Sequence, residues 1–64
     1  MLGRYELKLP LKVKVLKSKQ EFSKGHSVDL IKVKNEDNSI FLSFSNEDSG
    51  WFDKSFLMYL NKVT

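Results

Sequence analysis

The stretch SGWFDKSFL, residues 49–57, decides the fold of this 64-residue chain. A glycine, two large aromatics, a polar stop at Asp53-Lys54-Ser55 and a second apolar run at Phe56-Leu57 read as a strand that runs into one tight 3-10 turn. Asp53 is placed to cap that turn, because a short acidic side chain accepts from the orphan N–H groups of a helical start. Residues 57–60 then return as a last short strand. An ending of this form closes a small β-barrel.

Working back from it, two similar punctuation marks frame one strand. Asn35-Glu36-Asp37-Asn38 and Asn46-Glu47-Asp48-Ser49 both read as hairpin turns, since Asn and Asp bond their own main chain and tolerate left-handed backbone. Between them Ile40, Leu42 and Phe44 alternate with Ser39, Phe41, Ser43 and Ser45, a half-buried strand with one aromatic on its polar face. Residues 28–33 form the preceding strand, and its apolar phase changes between Leu30 and Ile31, which predicts a bulge or burial on both faces. Gly25 permits positive φ in the turn before it. Residues 5–15 alternate without a miss, but Pro10 cannot donate to a ladder and splits the run or marks an edge. The expected organisation is one domain over residues 1–64: an N-terminal arm at 1–11, a five-stranded barrel at 12–60, with the polar run 17–20 as a loop, and a tail at 61–64. The fold class is all-β.

Composition narrows the means of stability. A chain this short buries only about 60% of the surface it exposes when unfolded, and it has no cysteine and a single histidine, so neither disulfides nor a structural metal are expected. Five Phe, two Tyr and one Trp, with one Pro, argue against disorder. No apolar run approaches the roughly 20 residues of a membrane helix, and residues 1–10 lack a secretory apolar core, so a cytoplasmic protein without a membrane role is expected. Residues 1–34 carry nine Lys/Arg against three acids, and residues 35–64 two lysines against five acids. This asymmetry fits either a nucleic-acid or acidic-protein partner or lysines that simply solvate outer strand faces.

The order Glu21-Phe22-x-Lys24-Gly25, Val28-x-Leu30-Ile31, then Gly50-Trp51-Phe52-x-x-Ser55-Phe56-Leu57 resembles an SH3-like barrel over roughly residues 12–60. The resemblance implies a glycine ending a hairpin, a helical turn after the aromatic pair, and a final strand that closes the barrel against the first. Bacterial SH3-like modules end similarly. The residues that hold proline-rich peptides in this family are replaced. Ser39 or Ile40 stands at the position of a shelf tryptophan, Asp53 at that of a proline, and His26 at that of an acid, while Phe56 matches the ligand-binding tyrosine without its hydroxyl. The resemblance therefore implies the barrel but not the peptide-binding activity.

Catalysis lacks its parts: cysteine is absent, and His26 in a Lys-Gly-His-Ser turn reads as a solvated loop residue. The acidic pairs lie at opposite ends of one strand, about 20 Å apart, and cannot share a metal. No Gly-rich phosphate cradle is present, and no enzyme activity, cofactor or small-molecule substrate is expected. Phe41 and Trp51 have the parity to share an outer face if Phe52 points inward. Either they form an open protein-contact surface, together with Phe56, or residues 2–9 wrap over them as a second small core. The alternative function is nucleic-acid binding through Lys12, Lys14, Lys17, Lys19, Lys24, Lys32 and Lys34. Expected above it is a non-enzymatic binding module with a protein partner. The Lys/Asn/Ser/Phe bias suits a low-GC bacterium or its phage, where such a module would inhibit or modulate a larger protein.

Overall fold

The computed structural model describes residues 2–15, 18–45 and 48–63, with the backbone alone described for residues 14, 15, 18 and 19. Its strands are β1 (Gly3–Leu7), β2 (Leu11–Val15), β3 (Ser18–Phe22), β4 (Ser27–Lys34), β5 (Ser39–Ser43), β6 (Ser49–Asp53) and β7 (Leu60–Lys62). Two 3-10 segments interrupt them, η1 (Asn35–Asp37) and η2 (Lys54–Tyr59). The class is all-β, as read. Five strands make the principal sheet in the order β6-β5-β4-β1-β7, every described neighbour antiparallel, and β2 and β3 form a separate two-stranded ribbon. Among the described residues no ladder joins β6 to β7, so these two are the sheet edges.

Period-two patterning explains which face each strand buries. On β1 Tyr5 and Leu7 point into the core, while Arg4 and Glu6 face out. On β5 Ile40 and Leu42 are fully buried and meet Val28 and Leu30 of β4. The ribbon contributes Val13 and Phe22, and Leu60 of β7 completes the same cluster. Phe22 stacks on Phe44 with ring centroids 4.8 Å apart. A single apolar core thus lies between the five-stranded sheet and the ribbon.

Among the described residues of the expected arm, 2–11, most of the chain is strand. Gly3–Leu7 is an interior strand that pairs with β4 on one side and β7 on the other. Pro10 does split the alternating run, but it lies between strands, where no ladder donor is needed. The two halves of one unbroken pattern therefore go to different sheets. The expected loop at residues 17–20 is corrected in the same way: Ser18–Phe22 is a strand, because β2 supplies its ladder from Leu11↔Phe22 to Val15↔Ser18. Gln20 and Glu21 are exposed, so polarity there reports solvent rather than irregular backbone. Lys17 lies outside the described residues.

Three local readings hold. The β4–β5 register shifts between Leu30 and Lys32, leaving Ile31 as the extra residue of a bulge. Asn38 closes the β4–β5 turn at φ 56°, the left-handed region that asparagine tolerates. Gly25 takes φ 88°, and its N–H donates to the Leu7 carbonyl at 2.9 Å. In the second acidic turn Asn46 and Glu47 lie outside the described residues, while Asp48 accepts at its carbonyl from Phe44 N–H at 2.7 Å.

The chain end differs from the expected bounds. η2 runs six residues, so the last strand begins at Leu60 instead of residue 57. Asn61 and Lys62 are not tail: they pair with Glu6 and Tyr5. Phe56 and Leu57 pack against the core from the 3-10 segment, which removes any need to place them on a strand.

Candidate protein-contact surface

The outer face of β4, β5 and β6 is assembled by register. Phe41 stands opposite Lys32 on one side and Trp51 on the other. The inward neighbours on β5 and β6, Ile40 and Phe52, stand opposite each other across the same ladder. Phe52 fills the interior position, its ring edge to face with Phe44 at 5.6 Å, which leaves Trp51 facing out. The Phe41 and Trp51 rings meet edge to face at 5.2 Å and 68°, a geometry that aligns the positive ring edge with the negative face of its partner. Trp51 is 50% exposed, while Phe41 is half-buried beside it.

Charged groups rim this pair. Lys34 Nζ lies 6.0 Å from the Trp51 ring centroid and also 3.2 Å from Asp37 Oδ2. Ser39 Oγ donates to the Asp37 carbonyl and Ser43 Oγ to the Ser45 carbonyl, so these hydroxyls fasten the neighbouring turns. At the end of β6 the Asp53 carboxylate accepts from Ser55 N–H at 2.9 Å. Ser55's backbone N–H, then its hydroxyl, hold the Asp53 carboxyl below the ordinary carboxylate range. Asp53 caps η2 as its sequence position implied.

Residues 2–9 do not cover Phe41 and Trp51. β1 lies on the opposite side of β4 from β5, and its flanking Leu2 and Leu9 are themselves exposed. The second-core arrangement is therefore excluded, and the aromatic pair is open. Phe56 does not join it. That ring packs 4.8 Å from Phe52, 6.3 Å from Phe44 and 5.2 Å from Tyr59, on the core side of the sheet. Sequence reasoning missed Ile31, 47% exposed on β4 one position from Lys32. The phase change at Leu30-Ile31 carried the signal, because a bulge turns one apolar residue outward.

The lysines are divided between the two sheets. Lys32 and Lys34 belong to β4, Lys12 and Lys14 to β2, Lys19 to β3, and Lys24 to the turn before β4. Lys14 and Lys19 stand opposite each other in the ribbon, Lys12 opposite Glu21. Lys12, Lys24, Lys32 and Lys34 are exposed. The outer side of β1 and β4 is also charge-balanced, with Arg4 Nε 3.2 Å from Asp29 Oδ1.

His26 is not a solvated loop residue. Its Nε2–H donates to the Phe44 carbonyl, which fixes the protonated nitrogen, because a carbonyl can only accept. The imidazole also lies against Phe22, 4.7 Å between centroids. It ties the Gly25 turn to the end of β5. Among the described residues no three His, Cys, Asp or Glu side chains converge on a metal position, and no helix is long and apolar enough to cross a membrane.

No protein-family model matches the chain, and no curated protein or solved structure matches it significantly.

Proposed function

We propose that this chain is a non-enzymatic binding module of the SH3-like kind that docks a protein partner on the outer face of β4, β5 and β6. The observation that carries the reading is the open Phe41–Trp51 pair, edge to face and capped by Lys34. Aromatic side chains of this kind, with Arg and few other types, dominate binding energy at protein interfaces. Ile31 widens the apolar area along β4. The SH3-like part of the reading is supported by three features: β7 pairs with β1, a 3-10 turn follows the aromatic pair, and a hairpin intervenes between the first strand and the middle of the sheet. With Asp53 and Ser39 or Ile40 in place of the shelf residues, and Phe56 turned into the core cluster, the contact is not to a proline-rich peptide. A cytoplasmic inhibitor or modulator of a larger protein, in a low-GC bacterium or its phage, is the setting that fits the size and composition.

Nucleic-acid binding is less well supported, because its lysines are split between two sheets and Lys34 is partnered by Asp37. Affinity capture from low-GC bacterial lysate, with and without nuclease, tests the proposal. The expected result is a protein retained through nuclease treatment by the parent chain and lost by Phe41→Ala, which weakens binding by about 2 kcal/mol at a hot spot. Retention that disappears with nuclease and is indifferent to Phe41 overturns it in favour of the basic residues.

A further inference from the structure

The hydrogen-bond parity of β6 has a consequence for its outer edge. In an antiparallel ladder, hydrogen-bonded pairs alternate. Phe44 N–H donates to the Asp48 carbonyl at one end of the β5–β6 pair, and Lys54 N–H donates to the Asn38 carbonyl at the other. With the register Leu42↔Gly50 and Ile40↔Phe52 between them, the main-chain groups of Gly50 and Phe52 face β5. Those of Ser49 and Trp51, and the Asp53 N–H, face the free edge, while the Asp53 carbonyl, as the cap of η2, accepts the first bond of that segment.

This edge lacks the usual protection. Proteins guard exposed strands with Lys, Pro, bulges or short length. β6 is five residues, SGWFD, without Lys, Pro or a register shift. Its single charge, Asp53, is turned to its cap on Ser55. The other sheet edge is guarded: β7 is three residues long, and Lys62 reaches across to the Leu2 carbonyl and over the Tyr5 ring.

We propose that β6 is a self-pairing edge, and that a second copy of this chain docks antiparallel on it about a two-fold axis at Trp51. The fit is self-complementary. The axis sets Trp51 opposite its own copy as a hydrogen-bonded pair, with Ser49 opposite Asp53 of the second copy on both sides. Trp51 then exchanges both of its main-chain bonds with its copy, and each Asp53 N–H donates to the Ser49 carbonyl of the other. No like charges stand opposite each other, which would oppose pairing. Continued one residue, the register carries Asp48 of each copy opposite Lys54 of the other. On the inner side Phe52 faces Gly50 of the second copy, where no side chain blocks it. On the outer side the result is one continuous row, Phe41, Trp51 and their two copies. This pairing uses the main chain and does not depend on the aromatic face being a docking surface for another protein.

Asp53 offers a clean perturbation, because its φ of −64° already matches proline. Asp53→Pro deletes one outward N–H per copy and leaves the β5 ladder intact. Asp53→Ala removes the same carboxylate but keeps that N–H. Sedimentation of the full chain from micromolar to millimolar concentration is expected to show the mass rising from 7.5 kDa toward twice that value. Asp53→Ala should associate like the parent chain, and Asp53→Pro roughly tenfold more weakly or worse, for two lost hydrogen bonds. Amide exchange on the parent chain gives a readout that needs no variant: the Trp51 amide should gain protection with concentration, while the Asn61 amide on β7 should not. A chain that stays at 7.5 kDa at millimolar concentration, or that associates with Trp51 exchanging freely, overturns the proposal. So does equal association by Asp53→Pro and Asp53→Ala. Loss of lysate capture by Phe41→Ala with self-association intact would leave this pairing standing and bear on the docking face alone.

Discussion

Truncating two adjacent residues of β5 to alanine separates the two faces of the sheet. Leu42 is fully buried among Val28, Leu30 and the aromatic cluster, so Leu42→Ala removes its transfer free energy and leaves a cavity. Such changes cost about 2–5 kcal/mol. A domain of this length has a total stability of only about 3–10 kcal/mol at ordinary values per residue. That single change therefore takes a large part of the whole. Phe41 is half-buried and its main partner is the Trp51 ring at 5.2 Å. A plain surface substitution stays within about 0.5 kcal/mol, and the edge-to-face pair adds about 0.5–1.5 kcal/mol, so Phe41→Ala should cost about 1 kcal/mol. In urea, both variants should keep the parent m-value and differ in midpoint. In heat, Phe41→Ala should lower the melting temperature by about 4–8 °C, with Leu42→Ala falling several times further. Equal losses, or a greater loss for Phe41→Ala, would refute the register that turns Leu42 in and Phe41 out.

Removing residues 1–7 should abolish cooperative unfolding, as read by circular dichroism, because β1 is flanked on both sides and carries Tyr5 and Leu7 into the core. Gly25→Ala meets no atom within 4 Å of the new Cβ but must hold φ 88°, so it should destabilise by about 1 kcal/mol through backbone strain alone, measured by urea midpoint. Asp53 has a carboxyl pKa lowered from 3.8 in the folded chain. Its contribution is therefore fully present above the unfolded value and is lost as pH falls through the folded one. A pH series of melting temperatures should show the parent chain losing more stability below about pH 4 than Asp53→Ala, and the two converging as Asp53 protonates.

The alternation of β5, the bulge on β4, the left-handed Asn38 and the Asp53 cap were all legible, because each is fixed by a few residues and by backbone chemistry close in sequence. β1 was not. Its pattern continues through Pro10 into β2, and nothing local says that the chain turns there and sends the halves to different sheets. That outcome is set by β4 and β7, which lie 20 and more residues further on. β3 was hidden for a different reason: a strand whose sequence is polar from Ser18 to Glu21 has the composition of a loop. At the site, parity predicted the Phe41–Trp51 neighbourhood, and the placement of β1 decided that it is open. The position of Phe56 depended on the length of η2, and that followed from packing between Phe52, Phe44 and Tyr59.

The pairing of Tyr5 with Lys62 brings the two ends of the described chain side by side, with Val63 N–H donating to the Arg4 carbonyl. The sheet is thus zipped by its most distant segments in sequence. The entropy of closing so long a loop must be lost before that ladder returns any of it, and folds dominated by such distant contacts reach the native state in milliseconds to seconds rather than microseconds. The β4–β5 and β5–β6 hairpins need only short loops and can assemble first. β1 can then add to β4, and β7 comes last, so until it docks the far edge of β1 stands unpaired.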